Sequence, residues 1–162
     1  MSSAASDRVP MTTQGHQALK QELKQLKSVE RPKNVQDIEE ARSHGDLSEN
    51  AEYHAAKERQ GFIAARMSEL ESKLSRAQVV DVSKLSGERV VFGATVTLND
   101  SDTDEESEYQ IVGEDEADAA ANKISISSPI ARALIGKLEG DEVKVHTPKG
   151  VRTMEILSVE FV

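Results

Sequence analysis

The hydrophobic positions of this chain follow two rhythms, and the change between them divides it. Across residues 14–43 apolar side chains recur at helical spacing among good helix formers, with Leu19, Leu23 and Leu26 stepping by four and three. Val35, Ile38 and Ala41 step by three and three. Pro32 stands between the two sets. It has no backbone N–H and disfavours helix at Arg31, so a kink or register shift is expected there. The second arm is more regular. Tyr53, Ala56, Gln60, Ile63, Met67, Leu70, Leu74 and Ala77 alternate three and four throughout, a coiled-coil seam with one polar place at Gln60. Two such arms joined by a tight turn predict an antiparallel helical hairpin. Arms of roughly 30 residues would be about 45 Å long, and are expected to project.

At Val79 the period shortens to two and β-branched residues take over, with Val80 and Val82 leading to the turn signal Ser86-Gly87. Residues 90–98 read as a strand and residues 108–112 as its neighbour, across an acidic connection at 99–107. A third strand is expected at 123–127. Ser128 then caps a short helix with Pro129 at its first position, residues 130–135 fill it and Gly136 ends it. Residues 143–146 and 152–162 close the sheet around Pro148-Lys149-Gly150. The fold class is therefore α+β in two domains. An antiparallel coiled-coil hairpin occupies residues 11–83, and a small β-rich α+β domain follows at 84–162. Residues 1–10, small and polar, read as a disordered tail.

Composition narrows the function. Three Phe, two Tyr and no Trp in 162 residues suit a seam of Leu, Ile, Met and Ala better than an aromatic core. A net charge of −9 argues against broad binding to exposed nucleic-acid backbone, which requires clustered Lys and Arg. With no cysteine, disulfides and Cys-based zinc sites are ruled out. No apolar run approaches the roughly 20 residues of a membrane span, and the first ten residues lack the apolar stretch of a signal peptide. No membrane association is expected, and the cytoplasm is the expected location.

The chemistry concentrates at the turn between the arms, His44-Gly45-Asp46-Leu47-Ser48-Glu49-Asn50. Gly45 permits the positive φ that ends one helix. Asp46 can cap the next, with Glu49 at the reciprocal position of a capping box. Two carboxylates then sit at the end of the hairpin, and two uses are open to them: a helix cap, or metal ligands presented to a second macromolecule. Mg²⁺ is commonly held by one or two carboxylates, with water and phosphates completing the shell. Arg42, one turn earlier, and Lys57 on the second arm could form a basic spot for an RNA phosphate. They could equally be solvated charges neutralised by Glu39, Glu40 and Glu58. Two other patterns fail. The run Asp100-Ser101-Asp102-Thr103-Asp104 imitates a calcium loop, but has Glu105 where Gly is needed and Ile111 where Glu is needed. His44 and His54 make at most half of a zinc site, and His16 and His146 stand apart from them.

The tip, Ala41-Arg42-Ser43-His44-Gly45-Asp46-Leu47-Ser48-Glu49-Asn50-Ala51-Glu52-Tyr53-His54-Ala55-Ala56, resembles that of the bacterial transcript-cleavage factors of the GreA/GreB family. Phe92-Gly93-Ala94-Thr95-Val96, Ile111-Val112-Gly113 and the stretch Ser127-Ser128-Pro129-Ile130-Ala131-Arg132-Ala133-Leu134-Ile135-Gly136-Lys137 agree with it, so the resemblance spans residues 11–162. It implies an FKBP-like C-terminal domain that docks on the β′ coiled coil at the rim of the secondary channel of bacterial RNA polymerase, through Ser127, Ser128, Pro129 and Ile130. The hairpin would enter that channel. Asp46 and Glu49 would then help hold a Mg²⁺ shared with the polymerase, while the free protein, expected to be a monomer, holds none. Arg42 and Lys57 would meet the nascent RNA 3′ end, a patch as small as that of the less basic GreA branch. The factor would not be an enzyme. It would stimulate the polymerase's own cleavage of backtracked RNA, and a regulator or inhibitor that occupies the channel without promoting cleavage is the alternative.

Overall fold

A computed structural model of the chain describes residues 8–46 and 49–162. It has two compact units, one of His16–Ala77 and one in which the segment up to Gly15 joins Gln78–Val162.

The helical unit is a hairpin. Its first arm runs as α1 (Thr13–Gln25), a π-helical turn (Leu26–Glu30) and α2 (Arg31–Arg42), and its second as α3 (Ala51–Ser75). Thr12 starts the first arm, its Oγ1 accepting the Gly15 N–H at 3.1 Å. Leu19, Ile38 and Ala41 of the first arm are buried, as are Ile63, Met67 and Leu70 of the second. Leu70 alone, fully enclosed, contributes about 1.5–3 kcal/mol.

Pro32 does not break the first arm. The wider π turn just before it accommodates the missing N–H, and the helix continues. The extra residue in that turn delays the seam by one position. The inward residue is therefore Asn34, only 3% exposed, whereas Val35 is 46% exposed. This corrects the expectation that Val35 belongs to the seam. It also moves the seam's polar place: Gln60 is exposed and accepts a hydrogen bond from Lys57 Nζ at 2.8 Å, while Asn34 Nδ2 donates to the Ala56 carbonyl at 2.9 Å across the interface. Charged side chains lace the arms outside the seam. Arg66 bonds both oxygens of Glu22, at 2.8 Å through Nη2, and also reaches Glu69 at 3.2 Å. The Arg66 guanidinium, by that hydrogen bond above all, lowers the Glu22 carboxyl below its ordinary range.

In the other unit, β1 (Val9–Thr12) pairs with β2 (Ala77–Val80) in a two-stranded sheet. The expected tail is thus corrected at its end, because Val9 and Pro10 belong to a strand whose next residues, Met11 and Thr12, are buried. Residues 1–7 of that tail lie outside the described residues. Glu116 fastens the strand. One of its oxygens accepts from the Thr12 N–H at 2.8 Å and the Thr12 hydroxyl at 2.7 Å, the other from the Gly113 N–H at 3.1 Å.

The main sheet contains β3 (Thr95–Asp100), β4 (Glu106–Val112), β5 (Lys123–Ser125), β6 (Glu142–Thr147) and β7 (Gly150–Glu160), in the order β5-β4-β3-β7-β6. All neighbours are antiparallel except β4 and β5. The helix α4 (Pro129–Leu134) covers the sheet through Ala131 and Leu134, which share a core with Val96, Leu98, Ile111 and Ile156. The strand expected at 90–98 begins only at Thr95. Gly93 takes a φ of +92°, and the Ala94 N–H turns back to the Val91 carbonyl at 3.1 Å.

Candidate functional site

Among the described residues, backbone hydrogen bonds and the Asn50 amide hold the tip of the hairpin. Arg42 ends α2, after which the N–H groups of His44 and Gly45 bond back to the carbonyls of Ala41 and Arg42, at 3.2 and 3.4 Å. Gly45 has a φ of +104°, which a side chain would strain. On the far side, α3 is capped by Asn50, whose Oδ1 accepts the Tyr53 N–H at 3.0 Å. The same side chain donates through Nδ2 to the Ala41 carbonyl at 2.7 Å. Asn50 therefore caps the second helix and adds a side-chain donor to the Ala41 carbonyl at the end of the first.

This overturns the capping box read from Asp46 and Glu49. Asp46 lies five residues before the first helical residue and Glu49 one before the cap, and both are exposed. Two hard carboxylates at an exposed turn suit a divalent cation in donor chemistry, but they fill only part of its coordination shell. Among the described residues, no group of three or more His, Cys, Asp and Glu side chains is arranged to hold a metal. Leu47 and Ser48 lie outside the described residues.

The basic residues are placed differently from each other. The Arg42 guanidinium lies 5.9 Å from the centre of the Tyr53 ring, a cation–π contact that fixes it beside the tip. The Tyr53 ring in turn meets His54 edge-on at 5.7 Å. Lys57 follows Tyr53 by one turn on the same side of α3, and shares a groove with Arg31 and Val35 rather than with Arg42. The other face of the hairpin near the tip carries Asp37, Glu40, His44, Glu52 and Arg59. His44 Nε2 and Glu52 Oε2 are 3.9 Å apart. Arg31 and Lys57 thus share one groove, Arg42 stands beside Tyr53, and the groove on the other face is mainly acidic.

In the other unit, Ser127, Ser128, Pro129 and Ile130 form the turn from β5 into α4. The expected strand ends early, at Ser125, because the Ser128 N–H turns back to the Ser125 carbonyl at 2.9 Å and the Ser125 and Ser127 hydroxyls bond at 2.8 Å. Ser128 Oγ accepts the Ala131 N–H at 3.2 Å, as its sequence context predicts. Pro129 is exposed and Ile130 leans on the core. The false calcium loop is a hairpin turn. Asp100 is buried, accepts the N–H groups of Asp102 and Thr103, and bonds Arg152 Nη1 at 2.7 Å.

Asn50, Tyr53 and Asn34 are the residues that motif reading leaves without a role in the site. Asn50 had a usable signal, since Asn is among the strongest helix caps. The cation–π partner of Arg42 had none, because it depends on how the arms face each other.

Comparison with known proteins covers both units. The family model described as transcription elongation factor, N-terminal, matches residues 9–79. The one described as transcription elongation factor, GreA/GreB, C-term, matches residues 85–161. The transcription elongation factor GreA of Phenylobacterium zucineum is 64% identical over 156 residues, 96% of this chain and 99% of its own length. That of Francisella tularensis subsp. novicida is 60% identical over 158 residues, 97% of this chain and 99% of its own. Among solved structures, GreA factor homolog 1 (Gfh1) of Thermus thermophilus is similar at 31% identity with a TM-score of 0.42, over 94% of this chain and 99% of that one.

Proposed function

Because this chain belongs to the GreA/GreB transcription elongation factors along nearly its whole length, we propose that it acts on bacterial RNA polymerase as a transcript-cleavage factor. The hairpin enters the polymerase's secondary channel tip first. The second domain docks at the channel rim, on the β′ coiled coil, through the turn that carries Ser127, Ser128, Pro129 and Ile130. Asp46 and Glu49 then reach the polymerase's active centre and serve as ligands for a Mg²⁺ that the polymerase shares. Bound there, that ion supplies the positive charge that activates water and stabilises the leaving oxygen in phosphodiester hydrolysis. The two carboxylates also accept hydrogen bonds from the attacking water and so orient it. Arg42 and Lys57 neutralise phosphates of the nascent RNA 3′ end. Arg42, already seated on Tyr53, loses little side-chain freedom in doing so.

On this reading the factor has no nuclease site of its own, acts as a monomer, and works in the cytoplasm. The observation that supports it is that Asn50, and neither Asp46 nor Glu49, caps α3, while both carboxylates are exposed at the tip. RNA cleavage in backtracked elongation complexes tests it, with wild type compared with Asp46→Asn and Glu49→Gln and polymerase binding measured alongside. Variants that bind but do not stimulate cleavage agree with the proposal. Variants that cleave as wild type does leave a channel-occupying regulator instead.

A further inference from the structure

At the end of the hairpin opposite the tip lies a second surface, separate from the site described above. It is a groove of about 610 Å³ between the start of α1 and the end of α3, with Leu23 and Leu74 in it and His16, Lys20, Lys24 and Lys27 along it. The four basic positions are spaced by four, four and three, so they form one stripe along α1 and into the π-helical turn. No acidic residue lines the groove. Further along the hairpin, Arg59 pairs with Glu30 and Arg66 with Glu22 across the arms, while Glu69 pairs with Arg66 and Lys73 along α3. Lys27 has Glu71 at 3.2 Å, but among the described residues neither Lys20 nor Lys24 has an ion-pair partner. A chain with a net charge of −9 thus keeps Lys20 and Lys24 beside an apolar floor without a carboxylate to pair them.

We propose that this groove is a docking surface for an acidic amphipathic helix of a partner protein, one large apolar side chain seated between Leu23 and Leu74 and carboxylates one turn apart facing Lys20 and Lys24. Charge complementarity selects the sign of the occupant. The spacing selects its form, because lysines four apart on a helix are about 6 Å apart along its axis, the interval at which a second helix repeats its own side chains. The floor selects protein over nucleic acid. It is aliphatic, without an aromatic ring on which a base could stack and without an arginine fork for phosphate.

The test is a titration of the isotope-labelled full chain, followed by amide NMR, with three probes. One is a helical peptide bearing Glu at i and i+4 around a central Leu. The second is the same peptide with Ser for that Leu, and the third a single-stranded oligodeoxynucleotide of equal net charge. The proposal predicts saturable shifts confined to α1 and the end of α3 with the Leu peptide. It also predicts at least tenfold weaker binding both for the Ser peptide and for a Lys20→Glu/Lys24→Glu variant whose circular dichroism is unchanged. Equal binding of the oligonucleotide, indifference to the Leu→Ser change, or no saturable shift in the groove would each overturn it.

Discussion

The side-chain amide of Asn50 donates to the Ala41 carbonyl at 2.7 Å, and so joins the end of one helix to the start of the next. The same residue accepts the Tyr53 N–H. One side chain therefore sets the distance between the arms where the carboxylates are displayed. Asn50→Ala should lower hairpin stability by about 1–2 kcal/mol, since both a cap and a cross-link are lost. Asn50→Asp should keep the cap and lose only the donation to Ala41. Urea unfolding followed by circular dichroism checks the order, wild type above Asn50→Asp above Asn50→Ala. Equal losses in the two variants would assign the whole effect to the bond with the Ala41 carbonyl.

Asn34, buried in the seam, donates to the Ala56 carbonyl. A single buried polar residue in a coiled coil favours one register at some expense in stability. Asn34→Leu should therefore melt no lower than wild type, yet admit shifted pairings or self-association that sedimentation would detect. A variant that is less stable and strictly monomeric would refute that role.

The Glu22–Arg66 pair predicts an acid limb in hairpin stability. The folded-state pKa of Glu22 is lowered, first by the hydrogen bond from Arg66. A group shifted in that direction adds stability above its unfolded pKa of about 4.3 and loses it as pH falls through the lower folded value. The pair is partly exposed, so its contribution is on the order of 1 kcal/mol or less. Melting temperature measured from pH 6 downward should fall less steeply for Glu22→Gln than for wild type. Parallel curves would mean that the pair is silent.

Gly15 and Glu116 should act as one unit. A Cβ on Gly15 would overlap the Glu116 carboxylate, which would have to swing away from Thr12 and Gly113. Gly15→Ala should thus cost much the same as Glu116→Ala, about 1–3 kcal/mol, and the double variant little more than either. A double-mutant cycle by denaturant unfolding gives the coupling, and strict additivity would contradict it.

What the sequence makes legible follows from what local pattern encodes. Ile63, Met67 and Leu70 face the seam as their spacing predicts, and Ser128 caps α4 as its Pro129 neighbour predicts. The shift from Val35 to Asn34 escapes that logic, because a π turn adds one residue without leaving a mark in the hydrophobic count. Asp46 and Asn50 are both good caps, four residues apart, and the choice between them is made by the Ala41 carbonyl on the opposite arm. Val9 and Pro10 look like tail because their partners in β2 are some seventy residues away. Arg42 and Lys57 are legible as cations, but not Arg42's seat on Tyr53.

The central claim is that Asp46 and Glu49 act through a metal rather than through the helix. The most direct measurement is the rate of RNA cleavage in backtracked complexes as Mg²⁺ is titrated, at saturating factor, for wild type and Asp46→Asn. The account predicts a variant slower on the order of 10²-fold at low Mg²⁺, with its curve displaced to higher Mg²⁺ and its hairpin melting unchanged. Superimposable curves, or a loss of rate that tracks a loss of helix stability, would contradict it.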